Sequence, residues 1–286
     1  MRKLFFFSVI LIIGFNLILV EKNPAQNLSD NQKELLNSVF YKFRENDFTG
    51  GAAEIERFLK LNNSEKHYLL YLNLGNAYAF LNNSGKALEN YKNGLRLEPD
   101  NQDLINNAVK ILVSDKRYEE AVFFLKKNIM TGYAGYEFLK TLGDLYAYIK
   151  MYEEASEYYE RYLKINPGNV EIIEKLSKIN YLIGNYEKAL NFFNQLYAIK
   201  KKDADLIFKL KLLIKLSRHN EAISLAGNIE NNFGADAELF FLKGYCFYKS
   251  GNYAGALSNF QTSKLFNEFR VDSLKYINEI ERREGN

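Results

Sequence analysis

Large apolar residues return every three to four positions along most of this chain, the spacing of amphipathic helices. The stretch 204–216 is typical, with Leu206, Ile207, Leu210, Leu213 and Ile214 on one face. The helices come in pairs. Asn82-Asn83, Ser114-Asp115, Gly184-Asn185 and Gly251-Asn252 separate the two members of a pair, and Gly and Asn tolerate the left-handed backbone that ends a helix. Pro99 and Pro167 follow second helices and stop them. A last amphipathic stretch, 271–283, sets Leu274, Ile277 and Ile280 against Lys275, Glu279, Arg282 and Arg283.

The pairs repeat. Segment 73–99 (NLGNAYAFLNNSGKALENYKNGLRLEP) aligns without a gap on 141–167 (TLGDLYAYIKMYEEASEYYERYLKINP). Their Leu-Gly pairs, Leu74-Gly75 and Leu142-Gly143, lie 68 residues apart, two periods of 34. A small residue marks each second helix: Gly51, Ala87, Ala121, Ala155, Ala189, Ala222 and Ala256, at spacings of 36, 34, 34, 34, 33 and 34. Small side chains there let two helices approach closely, where a larger one overpacks at about 1–3 kcal/mol.

The pattern resembles the tetratricopeptide repeat family over residues 32–269. One repeat supplies Leu139, Leu142, Gly143, Tyr146, Ala155, Tyr159 and Pro167; another supplies Tyr71, Leu74, Gly75, Tyr78, Ala87, Tyr91, Gly94 and Pro99. Segment 237–269 matches through Gly244, Ala256 and Phe260, while the repeats near 32–65 and 203–236 are weaker. The resemblance implies an all-α, right-handed superhelical solenoid of about seven helix–turn–helix repeats. The remaining C-terminal stretch, 270–286, is then a capping helix over the exposed apolar end of the array.

The N-terminus sets the compartment. Arg2 and Lys3 precede an apolar run from 4 to 20, roughly 26 Å long at about 1.5 Å per residue. A membrane span needs about 17 residues at least, and a signal-peptide core runs to about 15, so an uncleaved anchor and a cleaved signal peptide both stay open for 1–25. Residues 26–31 read as a linker. Positive charge before the run places the N-terminus inside and the remainder outside. Without Arg2 and Lys3 the chain carries 36 basic and 35 acidic residues, which gives no field for nucleic acid. Thirty-three asparagines with abundant Lys and Ile point to an AT-rich, bacterial coding genome.

Catalytic chemistry finds no constellation. One cysteine and two histidines cannot close a Cys/His zinc site, and the glycines at 50–51 and 132–135 lack phosphate-loop spacing. His219 falls where other repeats have Phe48, Tyr118, Tyr152, Tyr186 and Tyr253, so a packed ring is expected. His67 reads as a loop residue and Cys246 as a small buried side chain. The acidic cluster Glu153, Glu154, Glu157 and Glu160 reads as a solvated face. Neither a cofactor nor a metal is expected, and the chain reads as no enzyme.

What the resemblance implies is protein binding in a concave groove lined by first helices. Carried over position by position, the groove residues are Asn73, Asn76, Asn106, Lys110, Lys140, Asp144 and Tyr148, then Glu174, Lys178, Tyr181, Lys211, Lys215, Tyr245 and Tyr248. The partner is a protein or peptide, with the membrane added if the N-terminal segment stays attached. The family's clamp for chaperone tails is broken here, since Asp144 follows Lys140 where that pattern wants Asn. The expectation is a periplasmic-side scaffold or adaptor of the bacterial cell envelope; the alternative is a membrane-anchored co-chaperone facing the cytoplasm.

Overall fold

The computed structural model describes residues 28–62, 64–130, 135–201, 205–233 and 236–284. The expected anchor or signal segment lies outside them. Among the described residues there are fifteen α-helices and no strand. They run α1 (Asp30–Arg44), α2 (Phe48–Leu61), α3 (Tyr68–Phe80), α4 (Ser84–Leu97), α5 (Gln102–Ser114), α6 (Tyr118–Met130) and α7 (Glu137–Tyr148). There follow α8 (Tyr152–Ile165), α9 (Val170–Leu182), α10 (Tyr186–Lys200), α11 (Leu206–Lys215), α12 (His219–Phe233), α13 (Ala237–Lys249), α14 (Tyr253–Ser263) and α15 (Arg270–Glu284). These are the seven expected pairs and the closing helix. The chain divides into two compact units that part between Ile149 and Lys150. Within each unit every helix packs on the next, from α1 to α7 and from α8 to α15.

One turn recurs at every first-to-second helix junction. A residue with positive φ stands at Asn46, Asn82, Lys116, Lys150, Gly184, Ser217 and Gly251. Each lies five positions before the small residue of the following helix, from Asn46 and Gly51 to Gly251 and Ala256. At six of them the amide after it reaches five residues back: Asp47 N–H to Lys42 O (2.8 Å), Asn83 to Tyr78 (2.8 Å), Arg117 to Leu112 (2.8 Å), Asn185 to Asn180 (2.8 Å), Arg218 to Leu213 (2.9 Å) and Asn252 to Phe247 (2.9 Å). That is the Schellman closure, which satisfies carbonyls the helix end would orphan. Asn and Gly account for four of the seven positions, as expected. At Lys116, Lys150 and Ser217 the turn holds without them, because the packing on either side fixes its geometry.

At three junctions the side chain of the residue after the turn caps the second helix. Asp47, Asn83 and Asn252 accept from the amides of Gly50 (2.8 Å), Lys86 (3.1 Å) and Gly255 (2.9 Å). Where Arg117 and Arg218 occupy this place, each binds the carboxylate three residues on, Glu120 or Glu221, through two bonds of 2.7 Å. The acid then sits in the first turn, where the helix dipole favours it.

Past the turn the two helices close on each other. A Cβ placed on Gly75 would lie 2.4 Å from Cε1 of Tyr91, and one on Gly244 would lie 3.0 Å from Phe260. Tyr91, Tyr159, Phe193 and Phe260 are all at most 2% exposed. Asn76 is equally buried: its Oδ1 accepts from Tyr91 Oη (2.9 Å) and from Asn107 Nδ2 of the next repeat (3.0 Å). In the second unit Asn180 donates to Ser156 Oγ (3.2 Å) and Leu176 O (2.9 Å).

The two ends differ slightly from expectation. Helix α1 begins at Asp30, inside the expected linker, because Ser29 and Gln32 form a capping box. In α15 the buried stripe is Ser273, Ile277 and Ile280, whereas Leu274 is 39% exposed. Ser273 takes that place because its hydroxyl meets Ser263 Oγ at 2.6 Å inside the interface with α14.

Lys116→Gly should raise stability by about 1 kcal/mol, since a left-handed residue with a Cβ costs roughly 1–2 kcal/mol. Gly75→Ala should lower it by about 1–3 kcal/mol through overpacking against Tyr91. Urea midpoints of the two variants against the parent check both signs.

Candidate partner-binding surface

The fourteen residues expected to line a groove fall into three groups, with Glu174 and Lys178 belonging to both the second and the third. Asn73 and Asn76 do not reach the surface. They are 8% and 1% exposed, and Asn73 Nδ2 donates to Leu69 O at 2.8 Å. Helix α3 is apolar all round, with Leu69, Leu70, Leu72, Leu74 and Ala77 buried, so its polar residues are drawn inward as core hydrogen-bonding groups.

The second group is at the surface. On α5 Asn106 is exposed and Lys110 half-buried; on α7 Lys140 and Asp144 are half-buried and Tyr148 is 63% exposed. On α9 Glu174 is half-buried and Lys178 exposed. Asn106/Lys110, Lys140/Asp144 and Glu174/Lys178 occupy the same two positions in successive repeats, 34 residues apart and one helical turn from each other. The opposite faces of these helices are core: Leu104, Ile105 and Ala108 on α5, Phe138, Leu142 and Leu145 on α7, Ile172, Ile173 and Leu176 on α9.

The third group is held inside its own unit. Glu174 accepts from Lys178 and Lys200, both at 2.6 Å, and these two bonds hold its carboxyl down at about 2. Lys211 pairs with Glu238 (2.7 Å), and Lys215 lies 6.0 Å over the Tyr186 ring. Tyr181 packs edge-on to Tyr186 at 5.6 Å and against Phe208 at 5.3 Å. Tyr245 and Tyr248 meet Tyr276 of α15 at 5.8 and 5.2 Å, and Tyr248 also donates to Glu279. The closing helix thus takes contact area that the sequence assigned to a partner.

Rings at the start of second helices join consecutive repeats. Phe48 stacks on Phe80 at 4.3 Å. Tyr118 lies 4.6 Å from Tyr148 and donates to its hydroxyl at 3.1 Å, a bond that holds the Tyr118 phenol up at about 12. His219 occupies the same position, its ring 6.4 Å from Tyr245. Burial, seconded by Lys249, lowers its pKa. The other titratable candidates are structural as well. His67 caps α3, its Nδ1 accepting from Leu69 N–H at 3.2 Å, a role that reading it as a loop residue missed. Burial lowers its pKa. Cys246 is buried, and burial pushes its thiol up to about 12.

Of the acidic cluster, Glu160 binds Ser156 (2.9 Å) and Lys188 (2.6 Å), and Glu157 lies 4.0 Å from Arg161. Among the described residues no group of His, Cys, Asp and Glu is placed to hold a metal ion. None of their helices is long and apolar enough to cross a membrane. A second surface feature was not expected. It is a groove of about 680 Å³ between α4 and α6, lined by Leu95, Phe123 and Phe124 together with Lys92, Arg96 and Lys127. The signal available in the sequence was the pair Phe123-Phe124, two adjacent rings about 100° apart on one helix, of which Phe123 turns outward.

The family model "Tetratricopeptide repeat" matches residues 68–101 and 136–169, which are α3–α4 and α7–α8 with their flanks. None of the curated proteins matches the chain. Among solved structures it is similar to a chain of Naa15/Naa10 bound to HypK-THB, at 15% identity and a TM-score of 0.68. That match covers 87% of this chain and 39% of the other. It is also similar to a tetratricopeptide repeat protein from Parabacteroides merdae, at 16% identity, TM-score 0.49 and 87% and 98% coverage. At 15% identity the first of these likenesses speaks for the fold alone.

The two histidines predict a pH dependence with one sign. Their folded pKa values lie below the ordinary 6.5, so the unfolded chain takes up protons first. The associated stability is complete above about 6.5 and is lost as pH falls through the folded values. His67→Asn, which caps without titrating, should flatten the fall in urea midpoint between about pH 7.5 and 5.5. The remaining slope then belongs to His219.

Proposed function

Since the chain is a tetratricopeptide repeat protein, we propose that it is a non-catalytic scaffold of the bacterial cell envelope that holds a peptide or partner segment along its first helices. A protein-interaction role is the coarse statement that the repeats and their fold support. The finer reading rests on one observation: the polar pairs Asn106/Lys110, Lys140/Asp144 and Glu174/Lys178 recur in register on α5, α7 and α9. Buried faces keep these helices rigid, so the side chains are presented with little ordering left to do at binding.

In the first unit the burial of Asn76 and Asn73 takes α3 out of the binding residues, and in the second the cover that α15 gives Tyr245 and Tyr248 takes out α13. The central residues mix both signs of charge. A partner is therefore read by hydrogen bonds and local pairs, and bulk electrostatic attraction has little part in it. Several of the pairs are also intrachain, and as exposed ion pairs each contributes under about 1 kcal/mol to folding. They can be exchanged for contacts to a partner at small cost.

The envelope assignment comes from the charge order of the N-terminal segment, with Arg2 and Lys3 before the apolar run. Protease added to spheroplasts should digest the helical array; a protected array would reverse the topology and favour the cytoplasmic co-chaperone reading. For the groove, Lys110→Ala, Asp144→Ala and Lys178→Ala together should cut in-cell crosslinking to the partner at least tenfold while the helical circular dichroism stays unchanged. Undiminished crosslinking would remove these helices from the binding surface.

A further inference from the structure

The groove between α4 and α6 belongs to second helices, so it is distinct from the surface just proposed. Phe123 is 71% exposed, an aromatic ring set on a rigid helix with most of its area toward solvent. Leu95, Pro99, Leu112 and Phe124 add apolar surface to the same groove. Lys92 and Arg96 stand one helical turn apart on α4, and Lys127 stands one turn beyond Phe123 on α6. Both helices thus contribute cations to the lining.

The charge balance of this lining is positive. Its carboxylate, Glu120, is clamped by Arg117 through two bonds of 2.7 Å, which hold its pKa below the ordinary carboxylate range. Arg96 donates to the neutral amide of Asn93 at 2.9 Å, a contact that brings it no opposite charge. A complement to this groove needs a bulky apolar centre and carboxylates on both flanks. A polypeptide segment supplies an apolar side chain with carboxylates on either side of it.

We propose that the α4–α6 groove is a second protein-binding site, and that it takes an acidic segment with an aromatic or leucine anchor. The anchor covers Phe123 and Phe124, and flanking Asp or Glu side chains pair with Lys92, Arg96 and Lys127. The aromatic contact supplies the affinity, as buried rings do at interface centres. The rim charges select an acidic sequence and speed its arrival.

The test is selection of a random twelve-residue phage-displayed library on the full-length protein, followed by fluorescence anisotropy on the enriched peptides. Phe123→Ala, Arg96→Glu with Lys127→Glu, and Tyr148→Ala serve as comparison proteins. Peptides rich in Asp and Glu around an aromatic or Leu should emerge. Phe123→Ala should weaken them at least tenfold, and the charge reversal more, with steep loss on adding salt. Tyr148→Ala should leave them unchanged, which separates this site from the first-helix surface. Because Phe123 is exposed, its truncation should not alter the thermal midpoint. Equal affinity for parent and Phe123→Ala, or enrichment of basic or uncharged peptides, would overturn the proposal. So would binding of phosphatidylglycerol vesicles at Phe123 with no peptide enriched, which would assign the groove to a lipid surface.

Discussion

The whole array depends on how closely two consecutive helices can approach. At each junction the chain reverses through a residue with positive φ, and five residues later comes a Gly or Ala, fully buried at Ala87 and Ala121 in the first unit and at Ala189, Ala222 and Ala256 in the second. The Schellman bond from the residue after the turn fixes where the second helix starts, and with it the rotation that puts the small residue at the contact. Gly75 then sits beneath the Tyr91 ring with no room for a methyl group. Repetition of this one geometry is what lets each repeat bury its faces only against neighbours.

Polar groups inside the array follow from the same approach. With backbones this near, the rings that fill the interior carry hydroxyls that must be paired, and Asn76 accepts from Tyr91 while tying in Asn107 of the next repeat. Asn180 and Ser156 make a comparable link in the second unit. Asparagine therefore does two jobs in this chain: it shapes turns at Asn46 and Asn82, and it satisfies polar atoms in the core. Surface chemistry is built on what is left, the outward positions of first helices and the outer groove of α4 and α6.

Architecture was legible in the sequence because it rests on periodic, local rules. The spacing of small residues located every helix pair, and the ring position correctly classed His219 as packing. Three turn residues, Lys116, Lys150 and Ser217, were not legible, since their backbone is imposed by flanking packing and carries no composition signal. The surface was read less well. Asn76 looked like a groove residue by position, yet α3 is apolar on every side, so its neighbours enclose it. Tyr248 was assigned to a partner because a contact 31 residues away with Glu279 cannot be seen in a local pattern. The α4–α6 groove went unnoticed for a related reason: it needs Phe123 to be surplus to the core, which only the packing of Leu125 and Val122 inward decides.

Native-state hydrogen exchange at the junction amides addresses the central constraint most directly. The amides of Asp47, Asn83, Arg117, Asn185, Arg218 and Asn252 close the turns. If those turns set the helix approach, these amides should exchange only through the opening of their whole helix pair, with protection matching the helix interiors beside them. Exchange near the free-peptide rate, while the helices stay protected, would show that packing holds the pairs without the turns and would contradict the account.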